Sequence, residues 1–249
     1  MGLTTPQAQS KGGNHMDFNG IDLEKYYEML LVQRRCGLRN VLQRIENIRD
    51  VIENYPTDTC KKDSPFDSIK KRMKTFESAC DKVARKGWPL NEESLDKVHD
   101  IAGIRIITPY ESDVYEIRDT LYNLIENTKP KNTMRIAEER DYIKTPKPSG
   151  YRSLHLLVEV KISAQKGVKP RWTPVEIQIR TKSMDLWASY EHTLKYKNPN
   201  PSPETVQMFS ELAGNLAYLE KKLMKLRENT VMDIIAAKEA EAESDVKTQ

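Results

Sequence analysis

Cysteine, histidine and long apolar runs are scarce in this 249-residue chain, and each shortage argues against a class of protein. The three cysteines, Cys36, Cys60 and Cys80, are odd in number and lack CxxC spacing, which argues against a disulfide framework or a zinc site. Four histidines are too few to indicate a histidine-rich metal site. No apolar run approaches the ~18 residues of a membrane span, and the start lacks a secretory hydrophobic segment. A net charge of +3 is too small to indicate nucleic-acid binding by itself, so we expect a soluble cytoplasmic protein.

Composition and periodicity divide the chain into five segments, namely a polar linker at 1–16, a helical region at 17–64, a mixed core at 65–197, a second helical region at 198–236 and a disordered tail at 237–249. The linker ends in a His15-Met16 pair typical of a cloning junction, so we expect the native start at Met16. The whole chain is long enough to bury one good core with helices around it.

Hydrophobic periodicity predicts both strands and helices in the mixed core. Residues with strand patterns occupy 100–107, 134–139, 154–160 and 175–180. Helical spacing covers 21–54, 112–127, 182–195 and 204–227, and the segment 68–87 is helical or mixed up to Gly87. Strands that alternate with helices predict an α/β (α+β) fold, in which a mixed sheet of about five strands is flanked by helices and by helical extensions at both ends.

A proline-rich loop at 141–155, DYIKTPKPSGYRSLH, combines a rigid turn, cations and an aromatic ring. Pro146 and Pro148 fix their φ angles, and Gly150 permits a left-handed backbone. The loop therefore holds the ring of Tyr151 in place before any ligand arrives. Three cations are expected around that ring: Lys144, Lys147 and Arg152. A stacking surface with cations suits a nucleotide and its phosphates, although a basic surface turn before a strand has the same pattern.

Two carboxylates fall on neighbouring predicted strands. Asp100 stands at the entrance of the 100–107 strand, and Glu176 lies on the polar face of the 175–180 strand. Mg²⁺ typically takes one or two protein carboxylates and completes its shell with water and phosphate oxygens. Asp100 and Glu176 are therefore candidate ligands for a Mg²⁺ that is bound together with a triphosphate.

The segment 70–86 is strongly basic and is either a solvated helix face or a phosphate-binding surface. Lys74, Lys82 and Arg85 fall on one helical face. Arg72 would enter the same site as Lys74 if the start of the segment is extended. Arg binds phosphate as a bidentate donor, and Lys acts as a mobile point charge.

Four ordered motifs resemble the synthetase domain of the RelA/SpoT family: HDIAGIRI, DYIKTPKPSGYRSLH, VEIQIRT and MDLWASYEH. The resemblance runs from about Pro65 to Tyr196, and with no hydrolase or regulatory domain the chain resembles a small alarmone synthetase. This resemblance implies a nucleotidyltransferase-like synthetase fold. It also implies transfer of the β,γ-pyrophosphate of ATP to the 3′-hydroxyl of GDP or GTP, which makes (p)ppGpp.

The resemblance implies a role for each residue that matches these motifs. ATP would be held by Arg72, Lys74, Lys82, Arg85 and Arg105. For Arg105, a purely structural ion pair is an equally good interpretation. The acceptor nucleotide would be held by Lys144, Lys147, Tyr151, His155, Gln178 and Glu191. Asp100 would bind Mg²⁺, and Glu176 would either bind it too or accept the proton of the 3′-hydroxyl. Without the motif, His155 would be interpreted as a core residue at the start of a strand.

Three functions remain open at this point. The first is the (p)ppGpp synthetase. The second is a toxic relative that pyrophosphorylates the 3′ end of tRNA and has an antitoxin partner; Ser149, which replaces the Asn common before the Gly-Tyr of small synthetases, leaves room for it. The third, a catalytically silent RNA-binding module, is disfavoured because both carboxylates and all the ATP cations are present.

An apolar stripe near the C-terminus follows a near-heptad repeat of steps 4, 4, 3, 4 and 3. Its members are Met208, Leu212, Leu216, Leu219, Leu223 and Leu226. Prolines at 199, 201 and 203 separate this helix from the preceding one, so it can project toward a partner. The small synthetases form homotetramers through terminal helices, and we expect a homo-oligomer, most simply a tetramer. Docking of the stripe onto its own domain is the alternative.

Overall fold

The computed structural model describes residues 22–54, 64–127, 129, 131–162, 171–197 and 201–247. The predicted linker at 1–16 and most of the loop that begins at Tyr55 lie outside the described residues. None of the described helices is long and apolar enough to cross a membrane.

Helices and strands alternate through the core. The helices are Leu23–Asn54 (α1), Phe76–Arg85 (α2), Glu92–Asp96 (α3), Glu111–Asn127 (α4), Lys182–Lys197 (α5) and Pro203–Lys247 (α6), with a short 3₁₀ turn at His99–Ile101. The strands are Ser68–Met73 (β1), Ala102–Thr108 (β2), Met134–Asp141 (β3), Leu154–Ile162 (β4) and Arg171–Thr181 (β5).

The five strands form one mixed sheet in the order β1-β2-β5-β4-β3. β2 and β5 run parallel, whereas the β1–β2, β5–β4 and β4–β3 pairs are antiparallel. The crossover from β2 to the far side of the sheet contains α4, which is the connection expected when the chain must leave and re-enter a sheet. This arrangement confirms the predicted mixed sheet of about five strands with flanking helices.

One face of the sheet carries the main core. Alternating residues of β2, β4 and β5, such as Ile104, Leu156 and Ile177, are fully buried against Ile45 of α1 and Ile117 of α4. A second apolar cluster joins the start of α1 to α2, α3 and the 3₁₀ turn. Because α1 belongs to both clusters, α2 and the 3₁₀ turn are held beside the sheet. The opposite face of the sheet is left for polar side chains.

The segment 68–87 is mixed, as predicted, and divides into β1 and α2. Thr75 caps α2 by accepting a hydrogen bond from the Ser78 amide at 3.3 Å, and Gly87 ends the helix region with a φ of 66°. Lys74 precedes this cap, so the prediction that it shares a helical face with Lys82 is wrong. The start of the segment is extended instead, which was the condition under which Arg72 and Lys74 would approach one site.

Two other boundaries differ from the sequence prediction. β5 begins at Arg171 rather than at 175, because its first residues pair with the end of β4. α6 continues to Lys247, well past the start of the disordered tail predicted at 237–249. Helical propensity in the Ala- and Glu-rich end of α6 outweighs the fraying expected of a terminus.

Candidate active site

Residues on the open face of the sheet, most of them polar, form two rows that cross the five strands in register. The first row consists of Lys70, Arg105, Gln178, His155 and Arg140. The second row consists of Arg72, Gly103, Glu176, Leu157 and Glu138. Each row takes one residue from each strand, so residues that are far apart in sequence become neighbours. Five of the predicted site residues lie on these two rows.

Gly103 leaves the second row without a side chain between Arg72 and Glu176. It pairs with Arg72 on one side and with Glu176 on the other. A Cβ atom at this position would lie 3.5 Å from Cγ of Arg72. The absence of a side chain therefore keeps a floor of backbone between a guanidinium and a carboxylate, where a flat group or a phosphate can approach.

Asp100 is held by two lysines at the edge of this floor. Nζ of Lys82 lies 2.9 Å from one carboxylate oxygen, and Nζ of Lys74 lies 3.3 Å from the other. Lys74 reaches the site from the end of β1, Lys82 from α2, and Asp100 from the 3₁₀ turn before β2. The structure thus brings together three residues that the sequence assigned to metal and ATP binding.

Glu176 ends a chain of polar contacts that begins at Tyr151. The Tyr151 hydroxyl lies 2.9 Å from Nε2 of His155, and Nδ1 of His155 lies 3.3 Å from Glu176. Gln178 donates a hydrogen bond of 2.7 Å to the other Glu176 oxygen. Burial by itself raises the pKa of Glu176, but the contacts with His155 and Gln178 and the charge of Lys82 outweigh it and lower the pKa to about 2. Glu176 is therefore a firmly ionised carboxylate.

Asp100 and Glu176 border a cleft that is open to solvent. Its lining includes Lys82, Asp100, His155 and Glu176 from the predicted set. It also includes residues to which the sequence analysis gave no role: Lys86, Trp88, Lys97, His99, Glu138 and Arg140. Alternation along β3 was the available signal for Glu138 and Arg140. Trp88 follows a left-handed glycine, and nothing in its local sequence indicates that it faces the cleft.

The proline-rich loop at 141–155, which we call the acceptor loop, holds its two lysines and its arginine in different surroundings. Nζ of Lys147 lies 4.7 Å from the ring centre of Tyr151, within the range of a cation–π contact. Lys144 is farther along, 3.5 Å from Asp141 and 5.1 Å from the Tyr115 ring. The prediction that Arg152 adds a third cation around Tyr151 is wrong, because two carboxylates outside the cleft bind its guanidinium.

Arg105 takes part in a structural ion-pair cluster. It lies 3.2 Å from Asp185, which Arg180 and Lys70 also approach. This contact matches the structural alternative considered for Arg105, and its role toward ATP stays a prediction. Arg85 is exposed on α2 and donates to its own helix, at the Asp81 carbonyl.

Glu191 lies on α5 with a half-buried side chain. It is absent from the cleft lining, although the residues around it are among those the structure describes. The same holds for Lys144, Lys147, Tyr151 and Gln178. The lining therefore does not set Glu191 apart from them, and its acceptor contact stays a prediction.

The oxygen donors of the site fit magnesium better than other common metals. Among the residues that the structure describes, no group of three or more His, Cys, Asp and Glu side chains could hold a metal by itself. Two carboxylates beside several cations form an incomplete shell that phosphate oxygens and water would complete, and this is the usual mode for Mg²⁺.

The fold is similar to solved structures of small alarmone synthetases. Small alarmone synthetase 2 from Bacillus subtilis matches with a TM-score of 0.67 at 33% identity, covering 83% of this chain and 100% of that one. Small alarmone synthetase 1 from the same organism, bound to its product pppGpp, matches with a TM-score of 0.71 at 28% identity, covering 83% and 99%.

Similar curated sequences carry matching names. GTP pyrophosphokinase YwaC of Bacillus subtilis (strain 168) is 39% identical over 166 residues, which are 66% of this chain and 75% of that protein. GTP pyrophosphokinase YjbM of the same strain is 32% identical over 205 residues, or 82% and 90% of the two chains. Residues 71–201, which contain β2 to β5, the 3₁₀ turn and the acceptor loop, match the region found in RelA / SpoT proteins. With its motifs, its fold and its relatives in agreement, the chain belongs to the RelA/SpoT family.

Proposed function

We propose that this protein is a (p)ppGpp synthetase that transfers the β,γ-pyrophosphate of ATP to the 3′-hydroxyl of GDP or GTP. The single observation that carries the proposal is one cleft lined by Lys82, Asp100, His155 and Glu176. Lys74 is bound to Asp100 and Tyr151 to His155 at its border. A donor site that binds phosphates and an acceptor site that binds a base are what a pyrophosphate transfer between two nucleotides needs.

The cations beside Asp100 suit the triphosphate of ATP. Lys74 and Lys82 stand at salt-bridge distance from Asp100, so both can turn a short way toward a phosphate oxygen. Arg72 extends over Gly103 from the neighbouring strand. Charge grows on the non-bridging oxygens during transfer, and preorganised cations stabilise it.

Mg²⁺ fits the oxygen donors of Asp100 and Glu176, which lie in the 3₁₀ turn before β2 and within its neighbour β5. When bound, the ion would neutralise charge on the phosphate oxygens and orient them. Both carboxylates therefore act as ligands in this proposal.

The electrostatics of Glu176 favour the ligand role over that of a general base. A base works best when its pKa is close to the working pH, whereas the pKa of Glu176 is about 2. Its hydrogen bonds to His155 and Gln178 keep the carboxylate charged and fix its direction. A charged, oriented carboxylate is suited to hold a cation.

In this proposal the acceptor base stacks on Tyr151, whose hydroxyl contacts His155 in the cleft lining. Lys147 lies against the Tyr151 ring and can reach an acceptor phosphate with a small rotation. Ser149 belongs to the same turn and can bond the turn backbone as Asn does. Because the loop retains its tyrosine, lysine and histidine, a free guanosine nucleotide is the acceptor we propose.

Transfer of pyrophosphate from ATP to GDP and GTP, followed by chromatography of the products, tests this function. Wild-type protein with Mg²⁺ should yield ppGpp from GDP and pppGpp from GTP. Asp100→Asn and Glu176→Gln should each reduce the rate by about 10²–10³-fold or more, which is the effect of removing one charge-stabilising group. Asp233→Asn, an exposed position on α6, is the matched control and should keep the wild-type rate. Wild-type turnover in either carboxylate variant would contradict the assignment.

We also propose that the protein assembles into a homo-oligomer, most simply a tetramer, in the cytoplasm, where its nucleotide substrates are found. Five members of the predicted stripe on α6 are exposed in the single chain, between 46% and 69%. These five are Met208, Leu212, Leu219, Leu223 and Leu226. A row of exposed apolar side chains at near-heptad spacing is typical of a helix that packs against another chain.

A further inference from the structure

α6 lies directly against the acceptor loop. Gly150, the residue before Tyr151, has a φ of 80°, and a Cβ atom added to it would fall 2.4 Å from Cβ of Ala213. Ala213 itself is only 8% exposed. The helix and the loop therefore touch through two of the smallest residues. No flexible side chain lies between them, so a shift of one toward the other would displace it.

Glu220, two turns further along α6, ties the helix to two parts of the site at once. It is 7% exposed and accepts a hydrogen bond of 2.7 Å from Arg152 of the loop. Its other carboxylate oxygen accepts a hydrogen bond from the Thr181 hydroxyl. Thr181 in turn caps α5 by accepting from the Met184 amide at 3.2 Å. One carboxylate thus joins the acceptor loop, the end of β5 and the start of α5.

Arg152 completes this connection on the other side. Its second guanidinium nitrogen donates to Glu111, the first residue of α4, at 2.5 Å. A guanidinium held by two carboxylates has a fixed plane, since both prongs of its fork are engaged. Tyr151 directly precedes Arg152, so fixing Arg152 also fixes the backbone position from which the Tyr151 ring extends.

The Tyr151 ring also touches a stack that α6 supports. Trp187 of α5 lies edge-on to Tyr151, with ring centres 6.3 Å apart. Phe209 of α6 lies edge-on to Trp187 at 6.2 Å, and the Trp187 indole donates to the Phe209 carbonyl at 3.4 Å. Contacts from α6 thus reach Tyr151 through its backbone at Gly150, through Arg152 and through Trp187.

The position of Glu220 is costly for a carboxylate. Burial raises its pKa, and the hydrogen bonds from Thr181 and Arg152 offset only part of this effect. A buried carboxylate is tolerated only where hydrogen bonds and a cation satisfy it. Apolar packing could join α6 to the core without this cost. Because hydrogen bonds are directional and apolar contacts are not, the polar connection fixes the position of the loop more closely.

We propose that Glu220 is a positioning residue for the acceptor nucleotide, acting through Arg152 on the ring of Tyr151, and that α6 is part of the acceptor site. The inference rests on the proposed transfer to a guanosine nucleotide. ATP is gripped from β1, α2 and the 3₁₀ turn, none of which Glu220 contacts. A substitution that removes the contacts of Glu220 should therefore weaken binding of the acceptor nucleotide and leave binding of ATP unchanged.

The test is a comparison of Glu220→Gln with Glu228→Gln, the same change at an exposed position of α6. In Glu220→Gln an amide NH₂ replaces one acceptor oxygen, so either Arg152 or Thr181 loses its partner. We expect the KM for GDP to rise about tenfold, the KM for ATP to stay within about twofold, and Glu228→Gln to match wild type in both. A loss of structure alone would lower kcat and the melting temperature without separating the two KM values.

Arg152→Lys provides a second route should Glu220→Gln fail to fold. The lysine keeps the charge but reaches only one carboxylate at a time, so the KM for GDP should rise and that for ATP should not. Equal rises in both KM values, or an unchanged KM for GDP in a folded variant, would overturn this assignment alone. Wild-type protein that transfers nothing to GDP or GTP would overturn the proposed function and this assignment together.

Discussion

Lys82 binds Asp100 with Nζ 2.9 Å from a carboxylate oxygen, and Lys74 binds the second oxygen at 3.3 Å. A residue proposed to hold Mg²⁺ is thus neutralised by two residues proposed to hold ATP. Arrival of the metal and of the triphosphate must break these pairs together, because the lysines leave Asp100 as they turn to the phosphates. Binding of metal and of ATP should therefore be strongly coupled.

Binding of ATP without metal tests this exchange. In Asp100→Asn the two lysines lose their carboxylate partner and are free to meet phosphates, and a negative charge near the triphosphate is removed. We expect Asp100→Asn to bind ATP in the presence of EDTA several-fold more tightly than wild type, about 1 kcal/mol by the strength of one charged contact. Calorimetric titration gives the affinity, with Asp233→Asn as the matched control. Weaker metal-free binding in Asp100→Asn would refute the exchange.

Tyr151 should contribute mainly to the acceptor. Tyr151→Ala removes the stacking surface, which is worth about 1–3 kcal/mol per base, so acceptor affinity should fall roughly 5- to 150-fold while ATP affinity holds. Tyr151→Phe keeps the ring and loses the hydroxyl contact with His155, and it should be much milder. Parallel titrations with GDP and ATP, together with thermal unfolding, measure these effects. A lowered melting temperature with unchanged GDP affinity would assign Tyr151 a structural role only.

The four long helices and four of the five strands could be predicted from the sequence because their apolar residues repeat at the spacing of the element. Ile177 and Ile179 alternate with Glu176 and Gln178, and this local pattern is sufficient to give a strand with one polar face. The strand patterns also placed Asp100 and Glu176 on neighbouring predicted strands, and both line the cleft. β1 was harder, because its basic residues suit an exposed helix as well as an edge strand.

Contacts between distant segments could not be predicted in the same way. Arg152 is surrounded in sequence by residues of a nucleotide loop, and only the folded chain brings Glu111 and Glu220 to its guanidinium. Arg105 turns to Asp185 for the same reason. Periodicity identified the apolar stripe of α6, but the helix docks through Ala213 and Glu220 instead. A small and a charged residue carry no hydrophobic signal.

Asp141, at the start of the acceptor loop, should make the stability of the fold decrease in acid. Burial alone would raise the pKa of Asp141, but hydrogen bonds from the backbone amides of Lys144 and Ile143, at 3.0 and 2.9 Å, lower it below its ordinary value of 3.8. Ionised Asp141 therefore stabilises the folded chain fully above about pH 3.8, the pKa of this group in the unfolded chain. The stabilisation is lost as the pH falls through the lower pKa that Asp141 has in the folded chain.

Asp141→Asn isolates this contribution. At pH 7 the variant should lose about 1 kcal/mol of unfolding free energy, because charged hydrogen bonds become neutral ones. The difference from wild type should shrink as pH falls below 3.8. Urea unfolding across this pH range measures it, with Asp233→Asn as a control that shows no such difference. If the difference in unfolding free energy between Asp141→Asn and wild type stays constant with pH, the charge of Asp141 is excluded as its cause.

The exposed stripe of α6 should hold copies of the chain together. Glutamate at both Leu219 and Leu223 would bury two charges in such an interface, which is strongly unfavourable. Light scattering behind size exclusion should give a multiple of 28.8 kDa for wild type and a smaller assembly for the double variant. Lys221→Glu, an exposed change of charge on the same helix, should leave the mass unaltered. A wild-type mass of one chain at micromolar concentration would refute assembly.

The identity of the acceptor tests the whole account most directly. ATP labelled in its γ-phosphate is incubated with the protein and Mg²⁺ in parallel with GDP, with GTP and with deacylated tRNA, and the label is then located. The account predicts label on the guanosine nucleotides as ppGpp and pppGpp, with none on tRNA. Label transferred to the tRNA 3′ end and not to GDP or GTP would contradict it.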